Sequence, residues 1–218
     1  MPELTLMPEP EAAALLRLNG IPYPEFGFAR TPQEAEQISS RIGYPVVLKI
    51  VAEGVLHKSD IGGVAVNLLN PESVSAAFGR LQSCLAQNAP GATFRGAIVC
   101  SQVQQGIELI VGGLQDVMFG QTLMVGLGGI FTEILKDVSF RVVPIKKIDA
   151  VEMLEELKGY PVLQGARGLE KADINALTGF LVNVSDFLVK NPWIKELDLN
   201  PVRISGNQIH VLDARILK

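Results

Sequence analysis

The sequence has only two cysteines, Cys84 and Cys100, and two histidines, His57 and His210. A structural zinc site takes four Cys or His ligands at short spacing, and no C-x-x-C pair occurs. Zinc bound by Cys/His clusters is therefore excluded. Cys84 falls in an expected helix and Cys100 in an expected strand; buried free thiols in a reducing cytosol are the expectation, and with them a cytoplasmic protein. No apolar run reaches the roughly 18 residues of a membrane-spanning helix. The start, M-P-E-L-T-L-M-P-E-P, is acidic and proline-containing, unlike a signal peptide. Basic runs are lacking too, and the formal net charge is −4. That argues against a nucleic-acid surface but not against a nucleotide, which needs only a local cluster. No G-x-G-x-x-G opens a helix after a first strand, and no G-x-x-x-x-G-K-[ST] phosphate loop is present. A G-x-S-x-G elbow is missing, which leaves a serine hydrolase unsupported.

What is there is a core. Hydrophobic residues make up 48% and charged residues 19% of 218, enough for one large domain or two lobes. Helices are expected at 10–19, at 32–42 behind Thr31-Pro32 with Glu34 completing a capping box, and from Asn70-Pro71 onward. In the last, Val74, Phe78, Leu81 and Leu85 form one stripe. Strands are expected at 46–51, 64–69 and 95–103, so the first hundred residues alternate as an α/β lobe with an open sheet. After Gln104-Gln105-Gly106 the pattern changes. Strands are expected at 107–114 and 119–125, a G-L-G-G turn at 126–129 and an extended stretch within 131–144. Helices follow at about 150–157 and 173–190, then strands at 194–199 and 208–214. The expectation is two lobes with a hinge near 103–106.

Two places carry the chemistry. The first is Val46 to Val64, an apolar strand holding Lys49, then a loop with His57, Lys58, Ser59 and Asp60 closed by Gly62-Gly63. Taken singly, Lys49 is equally a lysine snorkelling from a strand end, and His57 an ordinary surface histidine. The second is E-L-D-L-N-P at 196–201 with H-V-L-D-A-R at 210–215. Alternation puts Glu196, Asp198 and Asn200 on one face, with Leu197 and Leu199 on the other; Val211, Asp213 and Arg215 are expected to share a face. Such oxygens suit Mg²⁺, which accepts one or two protein oxygens and takes the rest from phosphates and water. The bland alternative is a solvated strand face.

Together these features resemble the ATP-grasp fold, an α/β (α+β) two-lobed architecture with a nucleotide cleft between the lobes. More closely they resemble the ATP-grasp domain, or β-subunit, of the ADP-forming acyl-CoA synthetases, relatives of succinyl-CoA synthetase. The resemblance covers nearly the whole chain. Its most specific parts are H-K-S-D-x-G-G-V at 57–64, G-L-G-G-I-F-T-E-I-L-K-D-V-S-F-R at 126–141, and E-L-D-L-N-P with L-D-A-R. It implies an N-terminal lobe of residues 1–104 and a C-terminal lobe of 105–218 carrying the metal site. It implies that Lys49 contacts nucleotide phosphates and that Ser101, Val103 and Gln104 border the adenine through backbone groups. Glu108 would accept from the ribose hydroxyls, while Gly62 and Gly63 would let the phosphate loop close and open. Asn200 and Asp213 would be the main Mg²⁺ ligands, with Asp198 assisting. Arg141, after Glu133 and Asp137, would face the transferred phosphoryl group, and His57 is the candidate second phosphoryl carrier.

The implied activity is acyl-CoA + ADP + phosphate ⇌ acid + CoA + ATP, with ATP/ADP and Mg²⁺ as cofactors. A CoA-binding fold and the carrier histidine of the companion α-subunit have no room in this chain. A hetero-oligomer with a CoA-binding α-subunit, or fusion to α-like domains, is therefore expected. Two alternatives stay open: another ATP-grasp carboxylate ligase, which would not need His57, and a non-catalytic nucleotide-sensing module of a synthetase-like or acetyltransferase protein. Backbone contacts to the base leave ATP and GTP undistinguished, and the acid is unread.

Overall fold

A computed structural model describes residues 4–55, 58–128, 136–168 and 170–218. Two compact units emerge. One is Pro24–Val103; the other combines Met1–Tyr23 with Gln104–Lys218.

The Pro24–Val103 unit is a four-stranded antiparallel sheet in the order β1-β4-β2-β3. Its strands are β1 (Phe26–Ala29), β2 (Val46–Glu53), β3 (Val64–Leu68) and β4 (Thr93–Ser101), with helices α2 (Pro32–Ile42) and α3 (Pro71–Asn88). The expected stripe of α3 is buried at all four positions, Val74, Phe78, Leu81 and Leu85, in one cluster with Leu48, Ile50, Ala97 and Val99 of the sheet. Burying each large side chain contributes about 1.5–3 kcal/mol. The helix starts also follow the sequence. Thr31 accepts the Glu34 N–H at 3.2 Å, although the Glu34 carboxylate reaches back to the Arg30 N–H rather than to that of Thr31. Asn70 and Ser73 cap α3 reciprocally. Strand β1 is not legible in the sequence, because four residues between prolines and a helix cap carry no alternation.

The second unit holds a six-stranded antiparallel sheet, β10-β8-β5-β6-β7 with β9 on β8. Its strands are β5 (Ile107–Asp116), β6 (Gly120–Leu127), β7 (Val138–Val142), β8 (Glu196–Ser205), β9 (Gln208–Val211) and β10 (Ala214–Leu217). The helices are α1 (Glu9–Leu18), α4 (Lys147–Glu155), α5 (Tyr160–Leu163) and α6 (Ile174–Lys190). Leu177, Leu181, Val184 and Leu188 of α6 are buried on the face lined by Leu109, Val111, Leu123, Val125, Leu197 and Leu199. Gly113 permits this packing, since a Cβ there would fall 2.8 Å from Leu188 Cδ1.

Two sequence expectations change. Residues 4–23 do not belong with the 24–103 lobe. Thr5 and Met7 donate to the carbonyls of Lys218 and Ile216 at 2.9 Å, and Thr5 accepts from Lys218, so the N-terminal segment extends the β10 edge. A few backbone bonds made across the whole chain length leave no local signal. The expected strand 208–214 is also two strands. β9 pairs with residues 202–205 of β8, and β10 with residues 196–199. Val211 is consequently fully buried and does not share a face with Asp213 and Arg215. Among the described residues no helix is long and apolar enough to cross a membrane.

Candidate functional site

In the Pro24–Val103 unit, Lys49 sits mid-strand in β2, opposite Val64 of β3 and Ile98 of β4. Its neighbours Leu48 and Ile50 point into the core, so alternation turns Lys49 to the opposite face, where it is still only 5% exposed. A buried ammonium is compensated by partners or a ligand's charge, which sets this lysine apart from one snorkelling at a strand end. The loop beyond it is fastened directly alongside. The Ile50 N–H donates to Gly63 O at 2.8 Å, and the Gly63 N–H donates to Lys58 O at 2.7 Å. A Cβ at Gly63 would meet Ile50 Cγ2 at 2.6 Å and Lys58 O at 2.8 Å. What Gly63 supplies is thus a close backbone approach to β2, not freedom to swing. Gly62 has φ +69°, the left-handed region that favours glycine. His57 lies outside the described residues, as do Gly129 and Glu133.

At the end of β4, the Ser101 N–H donates to Glu25 O at 2.9 Å and the Gln102 N–H to Pro45 O at 3.0 Å. Gln102 and Asn67 bond reciprocally: the Asn67 N–H donates to Gln102 Oε1 at 2.7 Å and Gln102 Nε2 to Asn67 Oδ1 at 2.6 Å. The strand that would border a base is therefore pinned on both sides. Val103 is the last residue of this unit and Gln104 the first of the other's second segment.

In the second unit, the polar row of β8 holds as expected. Leu197 and Leu199 are buried while Asp198 is half-buried and Asn200 exposed. Asn200 lies beside Asp213, its N–H donating to Asp213 O at 3.1 Å, and Asp198 is opposite Arg215. Residues opposite each other in a ladder present their side chains on the same face. Asp198, Asn200, Asp213 and Arg215 thus share one face, with Asp213 in the gap between β9 and β10. Among the described residues no group of three or more His, Cys, Asp or Glu is placed to hold a metal by itself. Two carboxylates and one amide oxygen nevertheless fit a hard cation that brings phosphate and water oxygens with it.

Glu108 opens β5 directly opposite Arg203 of β8, and the Arg203 guanidinium forms a short ion pair with its carboxylate. Arg203 went unread in the sequence. The signal lies at Asn200-Pro201, where the inward positions switch from 197 and 199 to 202 and 204. The outward row therefore continues at Arg203.

Arg141 and Asp137 have other engagements. Arg141 on β7 donates to both Glu156 oxygens, at 2.6 and 3.0 Å, and lies 3.6 Å from Glu152. The guanidinium, with Ser139, holds the Glu156 carboxyl down at about 2. Asp137 is 4% exposed and accepts the N–H groups of Lys158 and Gly159, both at 2.8 Å. In this geometry Arg141 ties β7 to α4 and Asp137 holds the turn before α5.

A family model described as an ATP-grasp domain matches residues 3–217. The chain belongs to the ATP-grasp domain family. Within it, the chain is 47% identical over 209 residues to the β-subunit of an ADP-forming acetate–CoA ligase I from Pyrococcus furiosus, covering 96% of this chain and 90% of that one. It is 42% identical to an ADP-forming acetate–CoA ligase I from Archaeoglobus fulgidus, of which it covers 30%. Among solved structures, a dinucleotide-forming acetyl-coenzyme A synthetase 1 of Candidatus Korarchaeum cryptofilum, in complex with coenzyme A, Ca-AMPCP and HgCl⁺, aligns at TM-score 0.94. Its identity is 43%, covering 97% of this chain and 93% of that one. This ATP-grasp chain thus groups with β-subunits and β-like domains of ADP-forming acyl-CoA synthetases, and ATP-grasp domains bind nucleotides.

Proposed function

We propose that this chain is the nucleotide-handling β-subunit of an ADP-forming acyl-CoA synthetase. It moves a phosphoryl group between ATP/ADP and a histidine in the reaction acyl-CoA + ADP + phosphate ⇌ acid + CoA + ATP. The observation that carries this is the end-to-end match to a separate β-subunit, 90% of whose length it covers. The partner is a CoA-binding α-subunit with a carrier histidine; the Archaeoglobus fulgidus relative, more than three times as long as its matching part, has room for such a region in the same chain. The acid is selected outside this chain. Relatives at 47%, 37% and 36% identity are named for acetate, 4-hydroxybutyrate and trans-feruloyl-CoA, so this kind of nucleotide-handling domain accompanies chemically different acids.

Phosphoryl transfer is chiefly positioning and charge stabilisation. Lys49 places a buried positive charge against the phosphates. Ser101, Val103 and Gln104 border the base through backbone groups, and Glu108 accepts from the ribose hydroxyls. Asn200 and Asp213, with Asp198 assisting, would hold Mg²⁺, which when bound offsets charge on the β- and γ-phosphate oxygens. In the ATP-forming direction an ADP oxygen attacks phosphorus and the imidazole nitrogen leaves; the reverse regenerates phosphohistidine and ADP. His57 is the candidate second carrier on this chain, because neutral imidazole is a competent nucleophile near pH 7. Arg141, paired as it is with Glu156, acts on this reaction by holding β7 in place.

The test is to reconstitute the chain with a CoA-binding partner subunit, supply γ-labelled ATP and Mg²⁺, and measure acid-labile, alkali-stable protein label. Label is expected in the native pair and lost with Asp213→Asn or Lys49→Met. Label on this chain that vanishes in His57→Ala assigns the second carrier. A reconstituted pair that binds ATP but yields no label, and no ATP from acyl-CoA, ADP and phosphate, refutes the proposal.

A further inference from the structure

Glu108, Arg203 and His210 stand side by side on three neighbouring strands. Arg203 of β8 is the register partner of Glu108 on β5 and of His210 on β9, so the three side chains share one face. The Arg203 side chain is 18% exposed and that of Glu108 is 40%; the arginine is the more enclosed and the carboxylate the more accessible. Arg203 Nη2 donates to Glu108 Oε1. Arg203 Nε and His210 Nδ1 are buried without a hydrogen-bond partner among the described residues. Burial lowers the His210 pKa, which favours the neutral imidazole beside Arg203. Glu108 is fixed from its other side as well. The Gly128 N–H donates to Glu108 O at 2.7 Å, and a Cβ at Gly128 would fall 3.1 Å from Glu108 Cβ. The glycine of the G-L-G-G turn lets that backbone approach.

A carboxylate offers about four acceptor sites. An ion pair through one oxygen fixes its direction and leaves acceptor capacity toward solvent. A ribose diol presents two O–H donors to such a group, and a deoxyribose one fewer. We propose that Arg203 is a positioning residue that orients the Glu108 carboxylate toward the ribose diol, and that this pair sets a preference for ribonucleotides over 2′-deoxyribonucleotides. The inference rests on the ribose role assigned to Glu108 above.

A hydrogen bond to a charged acceptor contributes enough for a preference of about 10- to 100-fold. The experiment compares kcat/KM for ATP and 2′-deoxy-ATP in the reconstituted enzyme carrying the native chain, Arg203→Met or Glu108→Gln. Arg203→Met is expected to raise KM for ATP by a larger factor than that for 2′-deoxy-ATP, which presents one hydroxyl fewer to Glu108, and to shrink the preference about tenfold. If ATP and 2′-deoxy-ATP fall in parallel, or the ratio stays at its native value, the inference is overturned. Glu108→Gln separates the two levels. A ratio lost in Glu108→Gln but kept in Arg203→Met overturns only the role of Arg203; a native ratio in both overturns the ribose role of Glu108 too. Thermal unfolding of the free chain checks the fold. Should Arg203→Met unfold, Arg203→Lys carries the same comparison, since it keeps the charge and stem but loses the planar fork.

Discussion

Substituting Gly63 by alanine tests whether the glycine pair closing the 58–63 loop serves packing or motion. The added Cβ would lie 2.6 Å from Ile50 Cγ2 and 2.8 Å from Lys58 O. Neither neighbour yields easily. Ile50 is fully buried, and Lys58 O is the acceptor of the Gly63 N–H itself. Overpacking typically costs about 1–3 kcal/mol, and a clash with a backbone oxygen belongs in the upper half of that range, about 2–3 kcal/mol. For a chain of this length each kcal/mol shifts Tm by about 2–4 °C, which gives a fall of roughly 4–12 °C. Two other glycines calibrate the result. Among the described residues Gly62→Ala meets only Cys84, its Sγ at 3.4 Å, but must hold φ +69°, a cost of about 1 kcal/mol. Gly79 lies within α3 with nothing among the described residues inside 4 Å of its Cβ position, so Gly79→Ala gains about 0.8–1 kcal/mol of helix propensity. Thermal and urea unfolding should therefore order the proteins Gly79→Ala, native, Gly62→Ala, Gly63→Ala, from most to least stable. A Gly63→Ala protein that unfolds with the native one while turnover collapses would refute the packing argument and return the glycines to loop motion.

Asp137→Ala removes the acceptor of two backbone N–H groups at a 4%-exposed site. A loss of about 3 kcal/mol is expected by urea unfolding, with a smaller loss for Asp137→Asn, which keeps one acceptor oxygen; equal losses would contradict the assignment. The Glu156 carboxyl has a folded pKa depressed from 4.5 to about 2, so its contribution is fully present above pH 4.5 and disappears as pH falls toward 2. With that side chain 50% exposed, solvent screening limits the contribution to about 0–1 kcal/mol. Arg141→Met should flatten the acid limb of Tm against pH in that window by a corresponding few degrees, and an unchanged limb would show that the pair stabilises nothing.

The sequence by itself determined the local elements and the polar face of β8. The stripe Val74, Phe78, Leu81 and Leu85 lands in the core because a 3.6-residue period leaves one helical solution, and Leu197 and Leu199 turn inward because a strand has period two. These signals are local, and so they survive without coordinates. The placing of Asn200 beside Asp213 was half legible. Both residues stood out as candidates, but only the β8–β10 register made them neighbours, and the break after Val211 that lets Asp213 escape the core leaves no local trace.

Only the tertiary structure decided which residues answer one another across distant segments. Thr5 and Met7 join the C-terminal strand through backbone groups, which all sequences share. Arg203 reaches Glu108, 95 residues away, because the inward phase of β8 shifts at Asn200-Pro201. Gly63 is glycine because the Ile50 methyl lies against it, and Arg141 is engaged by Glu156 at the C-terminal end of α4. In each case the deciding quantity is a distance between parts of the chain that adjacent residues do not encode, set when each sheet closes with its own helices around its own core.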